Sequence, residues 1–228
     1  VRGLRGALAT EAYFALRRLI VEGTLPPQAR LVETELSSML ALSRTPVRAA
    51  LQRLHEEGLV QETEGRRQSR LFVAPLTRED ATEIYLLLGE MDGLAAHYAS
   101  ELAADEREVL VERLRVLNEE LRGSAHSGHP NGRRYFDLDD AFHGCYRDAV
   151  APPRVRTLLG AIRPQADRYT HVYTELFAST EIPRSANDHD AIIDAIARGD
   201  PDAAHDAARR NYRNATARLL NIIGAQHG

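Results

Sequence analysis

Only two residues, Ala41 and Leu42, separate two amphipathic segments near the front of the chain. The first, about Glu33–Leu40, carries Leu36 and Leu40 on one face. The second opens near Ser43–Pro46 and runs through Leu54 to Glu57, with Val47, Ala50, Leu51 and Leu54 spaced to face inward. A link that short forces two helices into a steep crossing. Ser43 or Thr45 can cap the later helix, and Pro46 sits in its first turn, where a missing N–H costs nothing. Upstream, Leu8, Ala12, Leu16, Leu19 and Ile20 predict a helix over about 7–22, stopped by Gly23 and the stiff Leu25-Pro26-Pro27. Downstream, Gly58 ends the third helix. Residues 59–62 and 71–73 then read as short strands around the polar tip Gly65-Arg66-Arg67-Gln68.

Helix, helix, turn, helix, hairpin is the order of a winged helix-turn-helix. The third helix leaves Arg44, Thr45, Arg48 and Gln52 on its exposed side. A positively charged first turn suits entry into a DNA major groove, where arginine can donate two hydrogen bonds to guanine and threonine can touch base or phosphate. Arg66, Arg67 and Arg70 at the hairpin tip would meet the phosphate backbone or the adjacent minor groove. Arginine content alone is no nucleic-acid signal here. All 29 basic residues are arginine, which reads as a coding bias, so a merely solvated face is the competing reading for each of them. The helix order is what favours DNA.

Ala74-Pro75-Leu76-Thr77 marks a domain boundary, giving 1–74 as a DNA-binding domain and 75–228 as a second one. Charge divides the same way. Residues 1–70 hold 11 Arg against 8 acidic residues, and the remainder holds 18 against 25. Beyond the boundary the pattern is helical throughout, with spans expected at 78–101, 105–122, 132–149, 152–178, 185–198 and 201–223. Pro164 should kink the fourth of these. Six such helices imply an all-α antiparallel bundle, so the fold class is mainly α. Cys145 is the single cysteine, which excludes an internal disulfide framework and fits a reducing cytosol. Neither a membrane span nor an export signal is read in the chain, so a cytoplasmic protein is expected.

The front part resembles the GntR family of bacterial transcription regulators. The residues that carry the resemblance are Gly23-Thr24-Leu25-Pro26-Pro27, Leu31, Glu33, Glu35-Leu36, the run Leu42-Ser43-Arg44-Thr45-Pro46-Val47-Arg48, then Ala50-Leu51-Gln52-Arg53-Leu54 and Glu57-Gly58-Leu59-Val60. The resemblance implies DNA contacts from Ser43, Arg44, Thr45, Arg48, Gln52, Gly65, Arg66 and Arg67, and a weak one from the neutral Thr34. Gln28 stands where a glycine is usual, so that turn must use a less permissive residue, and Ala49 replaces a usual glutamate. The back part is similar to the FCD effector domain of the FadR subfamily over roughly 78–222. Its motifs are Asp139-Asp140-Ala141-Phe142-His143, Asp188-His189-Asp190-Ala191-Ile192 and Gly199-Asp200.

This second resemblance implies a divalent metal, zinc, manganese, nickel or iron, held by Asp139, His143, His189 and the residue at 211. Asp139 and His143 are four apart and share a helix face. At 211 asparagine replaces the usual histidine, and an amide oxygen is the weaker donor. A metal-free bundle, with both histidines as core residues bonded to Asp139, is the alternative. The usual effector-gripping arginine falls at Leu88 and the usual glutamate at Asp92. Arg163, Arg168, Tyr169 and Tyr173 are then the candidates for binding an organic or sugar acid. The implied function is a homodimeric DNA-binding regulator, a repressor, acting on double-stranded operator DNA. A ligand-independent DNA-binding dimer with a purely structural bundle is the alternative. A metal-dependent enzyme is disfavoured because no second carboxylate base, nucleophile elbow or phosphate loop is present.

Overall fold

The computed structural model describes residues 2–63, 70–125, 132–173 and 181–226, with side chains over 6–63, 70–125, 133–171 and 182–222. The chain divides into two units, Val1–Thr77 and Arg78–Gly228. In the first, α1 (Arg2–Val21), α2 (Glu33–Leu40) and α3 (Arg44–Glu56) pack with a three-stranded antiparallel sheet of β1 (Arg30–Leu31), β2 (Val60–Thr63) and β3 (Arg70–Val73). Strand order is β1-β3-β2, with Arg30 opposite Phe72 and Val60 opposite Val73. The two-residue β1 has no hydrophobic alternation and escapes sequence reading; pairing with β3 makes it a strand.

The apolar spacing of α1 and α3 becomes one core. Ala12, Leu16 and Ile20 meet Val47, Ala50, Leu51 and Leu54, all at most 2% exposed. A polar tie accompanies it. The Tyr13 hydroxyl donates to Glu57 Oε2 at 2.7 Å, and the Arg53 guanidinium lies 3.6 Å over the Tyr13 ring. Ala41 ends α2 in the left-handed conformation (φ 54°), and its N–H and that of Leu42 return to the carbonyls of the last turn. Ser43 takes the N-cap place of α3 but makes no side-chain cap bond. Gln28 has φ 66°, so the turn does force a residue with a Cβ into glycine's territory.

The second unit is helical: α4 (Arg78–Ser100), α5 (Ala104–Ser124), α6 (Gly132–Val150), α7 (Pro153–Tyr173), α8 (Glu181–Arg198) and α9 (Pro201–Gln226). The fold is therefore a winged helix-turn-helix and an all-α bundle. Helix α8 starts four residues before the expected Ser185 because Pro183 falls within its first turn, where proline is tolerated. Helix α7 runs on through Pro164. Phe142, Tyr146, Ile192, Ile196 and Leu114 are fully buried between α5, α6 and α8. Small residues let α4 approach α9: a Cβ on Gly93 would lie 3.1 Å from the His205 carbonyl oxygen. Among the described residues no helix is long and apolar enough to cross a membrane.

Candidate functional site

Two places concentrate chemistry, one in each unit. In the first, α3 buries its apolar side and leaves Arg44, Thr45, Arg48 and Gln52 exposed. Ser43 and Thr34 are exposed as well. Gln52 donates to Glu56 Oε1 at 3.3 Å. Gly65, Arg66 and Arg67 lie outside the described residues. Sequence reading missed the partner of the two arginines. Glu33, the first residue of α2, accepts from Arg48 Nε and NH2 at 2.8 Å each, and its Oε2 stands 3.5 Å from Arg44 NH2. The Arg48 hydrogen bond outweighs partial burial and holds the Glu33 carboxyl below its usual range.

In the bundle, α6 and α8 bring Asp139, His143 and His189 together. One ligand-capable atom from each lies within 4.8 Å of the other two. His189 is fully buried, and its ring stacks on Phe142 with centroids 3.9 Å apart. Its Nδ1 stands 3.1 Å from Asn118 Oδ1. The Asn118 amide nitrogen donates to the Ala186 carbonyl (2.9 Å) and to Asp190 Oδ1 (2.7 Å), so its oxygen is left to accept. His189 Nδ1 therefore carries a proton, and Nε2 is the atom turned toward Asp139 Oδ1, 3.4 Å away. That Nε2 is buried without a hydrogen-bond partner. Burial pushes the His189 pKa down and favours the neutral ring.

His143 is fixed by the same logic from another helix. Its Nδ1 stands 2.9 Å from Oδ2 of Asp92, which is completely buried on α4. The Tyr146 hydroxyl donates to that same oxygen. Burial opposes the Asp92 charge, but His143 and Arg147 prevail and keep its carboxyl below the usual range. A carboxylate on Nδ1 leaves Nε2 as the free ligand atom. For Asp139, burial is likewise outweighed, here by the two imidazoles that face it and by Arg218, and its pKa falls to about 2. The donor set, with an orphaned imidazole nitrogen, two ring tautomers fixed from behind and an ionised carboxylate, fits a divalent first-row metal.

Asp139, His143 and Asn211 also line a cavity of about 80 Å³. Leu88 lines it too, so the place of the expected arginine is apolar. Cations come from elsewhere: Arg147 of α6 and Arg163 of α7 reach the cavity, and both pair with Asp140. Arg163, Asp167 and Thr170 form one helical face toward the cavity. Arg168 and Tyr169 fall on another side of α7. Both are buried away from the cavity lining, and the Tyr169 hydroxyl donates to Asp80 Oδ2 at 2.7 Å. The Tyr173 side chain lies outside those described. Asn118 and Arg147 were not identified from sequence, and Asp92 stood out only as the place of the usual glutamate, not as the partner of His143. Asn118 left one trace: a polar residue between Leu114 and Leu121 on the core face of α5.

Residues 83–214 match the FCD domain family, and residues 8–68 match the family described as bacterial regulatory proteins, gntR family. The chain belongs to the GntR family, with an FCD domain. It is a DNA-binding transcription regulator of the FadR-type architecture, and its relatives are regulators rather than enzymes. One is an uncharacterised HTH-type transcriptional regulator in an unstable DNA locus of Streptomyces ambofaciens, 29% identical over 206 residues, 89% of this chain and 81% of that one. A second, from Paenarthrobacter nicotinovorans, is named "Probable D-xylose utilization operon transcriptional repressor" and is 29% identical over 203 residues, 87% and 84% of the two chains. The fold of this GntR regulator is shared by E. coli McbR/YncC, with a TM-score of 0.70 at 19% identity over 94% of this chain and 97% of that one.

Proposed function

We propose that this regulator is a cytoplasmic homodimeric repressor that leaves operator DNA when a small acid enters the bundle cavity beside a bound metal. The observation that carries the bundle half is the buried His189 Nε2, without a hydrogen-bond partner and turned toward Asp139. An unsatisfied polar atom at that depth is costly unless something occupies it in the working protein. Asp139, His143 and His189 would hold the ion, with the Asn211 amide oxygen as a weaker fourth donor. The ion would supply a Lewis-acid seat for an effector oxygen. Arg163 and Arg147 would receive the effector's acid group, replacing the usual arginine at Leu88.

The DNA half rests on the exposed α3 face. A dimer offers two copies of α3 to successive major grooves, with Arg44, Thr45 and Arg48 at base edges and Ser43, Gln52 and Thr34 at base or phosphate. The effector acts by its difference in affinity between the DNA-competent arrangement and the alternative, and can shift the balance by no more than that difference.

The test is isothermal titration of chelator-stripped full-length protein with zinc, manganese, nickel and iron(II), followed by thermal shift across organic and sugar acids with and without metal. Metal binding near one equivalent per chain, and acids that stabilise only the loaded protein, are the expected results. Absence of both supports the other reading, a ligand-independent DNA-binding dimer. Leu88 and the engagement of Arg147 and Arg163 by Asp140 speak for that reading.

A further inference from the structure

We infer that Glu33 is a positioning residue, holding Arg48 and Arg44 so that their unused donor edges meet base edges together. The inference rests on the reading of α3 as the helix that enters the major groove.

A guanidinium has a side edge, Nε with NH2, and an end edge, NH1 with NH2. Glu33 occupies the side edge of Arg48 with two 2.8 Å hydrogen bonds. The end edge has the fork geometry that pairs with guanine O6 and N7, and it has no hydrogen-bond partner among the described residues. The Glu33 oxygen that accepts from Arg48 NH2 also stands 3.5 Å from Arg44 NH2. One carboxylate thus couples two long cations that begin and follow the first turn of α3. Both side chains are more than half exposed, 61% and 65%, so without that anchor each would sample many rotamers. The carboxylate side chain is itself 23% exposed and sits at the N-terminus of α2, where the helix dipole favours a negative charge.

A negative charge beside DNA opposes binding to any phosphate backbone. Glu33 therefore weakens indiscriminate binding while ordering the groups that discriminate, which raises preference from both sides. A brake on the arginines, holding them away from DNA, would do the opposite: its removal would tighten specific binding.

The experiment uses the full chain and two duplexes: one enriched by the wild-type protein from a random-sequence library, and a scrambled duplex of the same length and composition. Affinities are measured over a salt series. Glu33→Gln should cut the preference for the enriched duplex roughly ten-fold. Binding to the scrambled duplex should hold or tighten, and the salt slope should steepen by about one unit as one more cation faces phosphate. Glu33→Asp keeps the charge but lacks the reach, so it should lose preference with the slope unchanged. In an Arg48→Ala background, Glu33→Gln should alter preference little, because the partner is gone. Unchanged or increased preference in Glu33→Gln overturns the inference. If that variant does not fold, Glu33→Asp decides by the same readout. Failure of the wild-type protein to enrich any sequence would overturn the DNA reading itself, a distinct result.

Discussion

In the front unit the chemistry is local and in solvent: Glu33, Arg44 and Arg48 belong to two helices joined by three residues, Ala41, Leu42 and Ser43. In the bundle it is dispersed and largely buried. Asp92, Asn118, Asp139, His143, His189 and Asn211 come from α4, α5, α6, α8 and α9. The difference matches the two tasks proposed above. Reading DNA needs cations that stay hydrated until the partner arrives, so a short rigid motif on the surface suffices. Holding an ion and a small acid needs desolvated groups oriented from behind, and only several packed helices can enclose them.

The two units should separate most clearly in their packing. Phe142 stacks on His189 and is fully buried in the bundle, so Phe142→Ala should destabilise that unit by about 3–5 kcal/mol. Calorimetry should place the loss in one transition and leave the front unit's unfolding unchanged. A shift of both units by the same amount would show that they do not behave as separate cores.

The next largest effect concerns the groups behind the proposed metal ligands. Asn118→Ala removes the acceptor on His189 Nδ1 without touching a ligand and should weaken metal binding about 10–100-fold in titration calorimetry. An unchanged metal affinity would mean that the tautomer of His189 is not set by Asn118.

Acid should separate the units too. The folded-state pKa of His189 is depressed below its ordinary 6.5, so its contribution to stability is present above that value and is lost as pH falls below it. Asp139, lowered to about 2, adds a second loss between its ordinary 3.8 and that value. Thermal melts from pH 7.5 to pH 5 should therefore lower the bundle's melting temperature, and His189→Gln should flatten that dependence. The smallest effect lies in the front unit. Gln28→Gly relieves a positive φ and should stabilise the protein by about 1 kcal/mol, read by chemical denaturation.

What could be read in the sequence follows the same division. The Ala41-Leu42 turn, the inward spacing of Val47, Ala50, Leu51 and Leu54, and the outward Arg44 and Arg48 are all near neighbours, and periodicity alone places them. Asp139 and His143, four apart, share a face for the same reason. Asn118, and the bond of Asp92 to His143, were beyond reach because their meaning depends on which helix lies opposite, and helical spacing is silent about that. Arg168 and Tyr169 show the limit from the other side. They share a helix with Arg163, but a turn of phase carries them away from the cavity. Glu33 stands within the family motif, yet its bond to Arg48 arises only when the beginnings of α2 and α3 meet.

The most direct test of the account is the affinity of the full chain for its enriched duplex when Arg44 and Arg48 are both replaced by alanine. The account predicts a loss of about two to three orders of magnitude, with scrambled-duplex binding far less affected. Equal affinity of the wild-type and doubly substituted proteins for the enriched duplex would contradict it.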